Sequence, residues 1–196
     1  MKNKILVGFM AIIFAGIFSS CGKVPQAEID AANAAIDSAR LAGAEMYLPE
    51  AFTAVQDSMN AVMEEIEAQK SRLIASYGDA KGKLTLVTTM ANDLVGKTEA
   101  RIAELKAEIQ AKLAEVNVLI EENKQLVTRA PKGKEGAAAL TVIKAEIGAI
   151  EASLGEITSL FDSGDYLNAS VKVNAAQEKA GSINQELKDA IAKAGK

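Results

Sequence analysis

LTVIKAEIGAIEASLGEITSLF, residues 140–161, has an apolar periodicity that continues without interruption. Its larger apolar side chains recur at alternating spacings of three and four residues, at Leu140, Ile143, Ile147, Ile150, Leu154, Ile157 and Phe161. That spacing puts them on one face of an α-helix, as a narrow seam that packs against another helix. The stretch therefore predicts a helix packed on a helix.

The same seam recurs in four further helical segments. In the first it comprises Ile29, Ala32, Ile36, Ala39 and Gly43. In the second, expected to run to about residue 75, it comprises Phe52, Val55, Met59, Val62, Ile66, Gln69 and Leu73. In the long third, over 79–129, it comprises Leu84, Val87, Ala91, Leu94, Thr98, Ile102, Leu105, Ile109, Leu113, Val116, Ile120 and Val127. In the last it comprises Tyr166, Ala169, Val173, Ala176, Ala180, Ile183, Leu187 and Ile191.

Four interruptions separate these segments. Gly43 suits a helix C-terminus and Pro49 the first turn of the next helix, which predicts a tight reversal over residues 43–50. A second break is expected at residues 76–79, with Gly82 nearby, and a loop at 130–136. Residues 162–165 form the last turn, and about four turn residues between two seam helices predict an antiparallel hairpin.

Composition supports an all-α fold. The chain has 36 alanines, 3 prolines and only 4% aromatic residues, and alanine is the strongest helix former. We predict an elongated antiparallel helical bundle of coiled-coil hairpins that follows an N-terminal lipoprotein signal. The predicted segments are a signal peptide (1–20), a lipid-anchored tether (21–27), a hairpin with one long helix (28–129), a loop (130–136) and a C-terminal hairpin (137–196). If unbroken, the long helix would measure about 76 Å at roughly 1.5 Å per residue.

The N-terminal residues have the layout of an export signal. Two lysines lie within the first four residues, an uncharged apolar run follows over residues 5–18, and Ser19 and Ser20 precede Cys21. The apolar run is shorter than the roughly 20 residues that span a bilayer. The segment resembles a bacterial lipoprotein signal, although Phe18 replaces the usual aliphatic residue. That resemblance implies cleavage before Cys21 and attachment of fatty acyl groups such as palmitate to it, and several acyl chains make a durable anchor.

Location follows from the same residues. Without Lys2 and Lys4 the 22 basic side chains become 20 against 26 acidic ones, a formal net charge of −6. Gly22 is not the aspartate that retains enterobacterial lipoproteins in the inner membrane. We expect an outer-membrane lipoprotein in the bacterial envelope, on the periplasmic side rather than the cell surface.

Longer stretches also resemble a known group. Residues 25–32, 43–50, 130–134 and 163–167 are similar to alanine-rich helical bacterial lipoproteins defined only as a domain of unknown function. The likeness covers essentially the whole mature chain. It implies a helical, lipid-anchored protein and supplies no catalytic residues.

The three tyrosines occupy similar places, just after or within a helix break. They are Tyr47, Tyr77 and Tyr166. One interpretation is a peptide-binding solenoid, because a ring near a helix start resembles tetratricopeptide-like hairpins. The 34-residue period is absent, so we favour aromatic staples that brace each corner.

Several kinds of chemistry are disfavoured. The chain has no histidine and one cysteine, which removes the commonest general base and metal ligand and any internal disulfide. Its acidity, with a net charge of −4, offers nucleic acid no attraction. We therefore expect no enzyme, no metal, no cofactor and no nucleic-acid partner. C-terminal Lys196 is a candidate for peptidoglycan attachment, as in lipoproteins of the murein-lipoprotein type, but a polar tail is the favoured interpretation.

The functional prediction is a periplasmic helical spacer or scaffold, held by the acyl groups on Cys21. Seam surfaces left uncovered along residues 84–127 are expected to dock another helix or a second copy. The alternative is an accessory subunit, or adaptor, that binds a partner protein of an envelope complex between its hairpins.

Overall fold

Six α-helices make up most of residues 22–194, the part of the chain that the computed structural model describes, apart from the side chains of residues 134 and 135. They are α1 Gln26–Leu41, α2 Ala44–Tyr47, α3 Pro49–Lys70, α4 Gly78–Arg129, α5 Lys134–Asp162 and α6 Tyr166–Ala194. No strand occurs within residues 22–194. The predicted all-α fold class is confirmed.

The chain divides into two compact units, Met1–Arg101 and Ile102–Lys196. The division falls inside α4, so this single 52-residue helix contributes to both units. The boundaries of the predicted segments lie in loops, whereas the boundary between the two compact units lies inside a helix.

In the first unit, α1, α3 and the beginning of α4 enclose an apolar core. Phe52, Ile66 and Leu84 are fully buried in it. Lys83 of α4 makes an ion pair with Glu65 of α3, and Lys81 lies 3.0 Å from Glu28 of α1. Ion pairs therefore join both α1 and α3 to the first two turns of α4.

In the second unit, α5 and α6 pack antiparallel, and α4 packs against both. Glu156 lies 2.9 Å from Lys172, and Glu146 lies 3.3 Å from Lys179 further along, so the two helices run in opposite directions. The 2.7 Å ion pair between Lys124 and Glu151 joins α4 to α5. Contacts between α4 and α6 keep similar sequence separations, from 57 to 66 residues, which makes those two helices parallel.

The turns at residues 43–50 and 162–165 form as predicted, although the first contains the four-residue α2, whereas the break predicted at 76–79 lies at 71–77 because α4 begins at Gly78. Gly43 has φ +91° after α1, and Pro49 takes the first position of α3. After α5, Gly164 has φ +85°. The backbone N–H of Asp165 donates to Leu160 O and that of Gly164 to Phe161 O, the paired bonds of a Schellman motif. The carboxylate of Asp165 then caps α6 by accepting from the Asn168 N–H at 3.3 Å.

The seam positions are buried or half-buried with one exception, Leu73, whose placement in the α3 seam is wrong. The helix ends at Lys70 rather than near residue 75. The side chain of Gln69 accepts a hydrogen bond from the Ser76 N–H at 3.3 Å, so it bridges the connection to α4. Leu73 consequently lies in that connection and is fully exposed.

Helix α5 begins at Lys134, inside the predicted 130–136 loop. Gly136 lies in its first turn, where a Cβ atom would stand 2.4 Å from the carbonyl oxygen of Pro131. A glycine at this position lets the loop fold closely against the helix start.

Candidate functional site

Two of the predicted site residues, Cys21 and Lys196, lie outside the described residues. The structure does describe the chain immediately after Cys21. The surroundings of residues 22–28 are therefore the candidate functional site, because any anchor at Cys21 is joined to the protein there.

The start of α1 lies against the connection between α3 and α4, residues 71–77, which we call the 71–77 connection. A cleft of about 600 Å³ separates residues 23–28 on one wall from Ser76, Tyr77, Gly78 and Lys81 on the other. Val24 and Ala75 are partly buried against the core of the first unit, and Tyr77 is buried at 6% exposure. The beginning of the described chain thus lies beside the connection, across this cleft.

An ion pair fastens this end of the unit. The Glu28 carboxylate accepts a hydrogen bond from Lys81, which lowers the pKa of Glu28 below its usual 4.5. On the neighbouring face, the hydrogen bond to Glu65 raises the pKa of Lys83 above its usual 10.5. Both side-chain pairs are partly exposed, so each contributes modestly to stability and is weakened by salt.

Sequence reasoning missed the most exposed apolar pair of the described residues. Leu73 is 107% exposed and Ile74 is 87% exposed, next to each other in the 71–77 connection. Ile74 follows Leu73 directly and fits no seam spacing. This misfit is the one sequence signal that could have marked the pair as surface residues.

Each of the three tyrosines lies at the end of a helix or in the connection beside it. The Tyr47 ring covers Gly43, reaching to 3.1 Å from the place of a Cβ atom. Tyr166 contacts Phe161 edge-to-face with ring centres 5.4 Å apart, and the Lys106 ammonium lies 4.7 Å from the Tyr166 ring centre. That these rings brace the corners remains a prediction.

The second unit contains a buried polar pair that the seam analysis passed over. Asn123 of α4, which is fully buried, donates from Nδ2 to Ala180 O at 2.8 Å. Asn184 of α6 donates to Asn123 Oδ1 at 2.9 Å. Beside this pair, a hydrogen bond from Lys188 lowers the pKa of Glu122. Asn123 lies three residues after Ile120 and four before Val127, so the alternating spacing itself marks a seam position.

The expectation of an uncovered seam along residues 84–127 is wrong. Its side chains pack inside the units: Leu84, Val87, Ala91, Leu94, Thr98, Leu105, Ile109, Val116, Ile120 and Val127 are all buried. The neighbouring helices cover this face. The large apolar side chains that α4 does expose, Leu86 and Val118, lie off the seam.

Among the residues of 22–194 whose side chains the structure describes, no His, Cys, Asp or Glu side chains gather in a group of three or more that could hold a metal ion. No helix in the same part of the chain is both long and apolar enough to span a bilayer.

Comparison with known proteins gives no family assignment. No family model matches the chain, and no curated protein or solved structure is detectably similar to it. Function must therefore be argued from the residues and their packing.

Proposed function

We propose that this protein is a non-enzymatic lipoprotein of the bacterial envelope, attached to the outer membrane through acylated Cys21 and acting on the periplasmic side as a helical spacer or scaffold. The signal-like layout of residues 1–21 supports the anchor. The proposal includes membership of the alanine-rich lipoprotein group that the sequence resembles.

The observation that carries the spacer role is the 52-residue α4, which belongs to both units. Its buried side chains run from Ala80 to Val127 and pack within one unit and then the other. A spacer needs a long element of regular structure, and a helix is stiffer than a flexible linker.

The runner-up is the adaptor, and one observation favours it. Val118, Val142 and Val171 of the second unit are each at least 60% exposed. Valine side chains exposed to this degree are available to a partner protein, although single exposed apolar residues are common on protein surfaces.

Photo-crosslinking in intact cells separates the two roles. A photoreactive amino acid is placed at Leu86, Val118 or Val171 of the full-length chain, and at exposed Lys97 as the polar control. The spacer proposal predicts crosslinks to further copies of the chain or to peptidoglycan. A single foreign protein, captured in stoichiometric amount from Val118 and Val171 but not from Lys97, would favour the adaptor and contradict the scaffold.

A further inference from the structure

We infer that the 71–77 connection is a membrane-contacting loop, in which Leu73 and Ile74 insert among lipid headgroups beside the anchor. The inference rests on the proposed attachment of Cys21 and adds to it a second point of contact. The occupant of this apolar surface is a lipid bilayer.

The exposure of the pair is the first observation. Leu73 and Ile74 are adjacent, lie outside any helix and are 107% and 87% exposed. Two neighbouring large aliphatic side chains held in water are unfavourable unless another surface covers them. Leu41 and Met46 are exposed at the opposite end of the first unit, and the other exposed large apolar side chains of the described residues lie on helix faces, where only Leu167 and Val171 neighbour each other one turn apart.

The second observation is the position of residues 22 and 23, which follow Cys21 directly in the chain. Residue 22 is the first described, and Lys23 and Ser76 line the same cleft. Cys21 is two residues from Lys23, and Leu73 is three residues from Ser76. Since each residue spans at most about 3.6 Å, acyl groups at Cys21 would join the protein within a short reach of Leu73.

Charge favours the same occupant. Lys23 and Arg72 are exposed beside the cleft and the apolar pair, and neither makes an ion pair with a described residue. Of the acids on the neighbouring turns, Glu28, Glu65 and Glu67 are paired with lysines, which leaves Glu64 and Asp79 as opposing charges. Basic side chains next to exposed aliphatic residues match the anionic surface and apolar interior of a bilayer.

A second copy of the chain fits the surface less well. A stable protein interface buries about 800 Å² on each partner, which two side chains in a short connection do not supply. A bilayer needs no such area, because the acyl anchor already holds the protein at the membrane.

The experiment uses tryptophan fluorescence, since the chain has no tryptophan of its own. Full-length L73W is produced in a bacterial host, purified from membranes and reconstituted in vesicles of phosphatidylethanolamine and phosphatidylglycerol that carry brominated acyl chains. The matched control is L86W, on an exposed face of α4 in the same unit. We expect the emission of L73W to shift to shorter wavelength and to be quenched by bromine, while L86W keeps a solvent-exposed spectrum.

The intact mass of each sample separates this inference from the proposed anchor. Acylated protein with unquenched L73W overturns the loop contact and leaves the anchor standing. Unacylated protein with quenched L73W sinks the anchor while the loop contact holds. If the protein is neither acylated nor quenched, both are wrong.

Discussion

At the residue scale, Gly43 shows how one position fixes a corner. Its φ of +91° is a left-handed conformation, and the Tyr47 ring lies 3.1 Å from where a Cβ atom would stand. An L-residue in this conformation costs about 1–2 kcal/mol, and the ring would have to move as well. Gly43→Ala should therefore lower the free energy of unfolding by at least about 1 kcal/mol, measured by urea denaturation followed by circular dichroism.

Gly96 provides the matched control for that variant. It lies exposed within α4, with nothing within 4 Å of a Cβ atom. Alanine is more stable than glycine in a helix interior by roughly 0.5–1 kcal/mol, so Gly96→Ala should raise the free energy of unfolding. Equal effects of the two substitutions would contradict the role assigned to the corner.

At the element scale, the buried Asn123–Asn184 pair joins α4 to α6 by hydrogen bonds. Asn123→Ala removes the Oδ1 acceptor of the buried Asn184 amide and the donor to Ala180 O, and an unsatisfied buried polar group costs about 1–3 kcal/mol. The expected result is a lower unfolding midpoint in urea. A buried asparagine can also specify register and association state.

The double variant Asn123→Leu/Asn184→Leu tests the second role. Replacing both partners by apolar residues of similar size can be nearly neutral or stabilising. We expect stability close to that of the native chain but a broader distribution of association states in light scattering coupled to gel filtration. A double variant as unstable as Asn123→Ala, with a single association state, would show that the pair serves stability alone.

The seams were the most predictable part of these elements. Spacings of three and four residues define one helix face wherever they continue, so the core of each unit could be read from the sequence. The spacing fails at Leu73 because helix α3 has already ended, and apolar periodicity carries no information about where a helix stops. The apolar spacing did not identify Asn123 as a core residue, because Asn123 is polar and its burial depends on hydrogen-bond partners on another helix.

At the scale of the whole molecule, periodicity predicted individual helices better than their grouping. Loops divide the sequence near residues 71–77 and 130–133, yet packing divides it inside α4. Which helices bury a given seam depends on contacts between residues far apart in the sequence. The face of α4 that we expected to be exposed is therefore buried against neighbouring helices. The exposure of Leu73 and Ile74 likewise depends on packing, and apolar periodicity does not predict it.

The proposed anchoring of this helical protein by acylated Cys21 is tested by the intact mass of the protein extracted from membranes. We expect a chain that begins at Cys21 and carries a diacylglyceryl group with a further acyl chain. The full-length Cys21→Ala variant should keep residues 1–20 or be mislocalised. A native protein without acyl mass, or a Cys21→Ala variant with unchanged mobility that still fractionates with membranes, would contradict the claim.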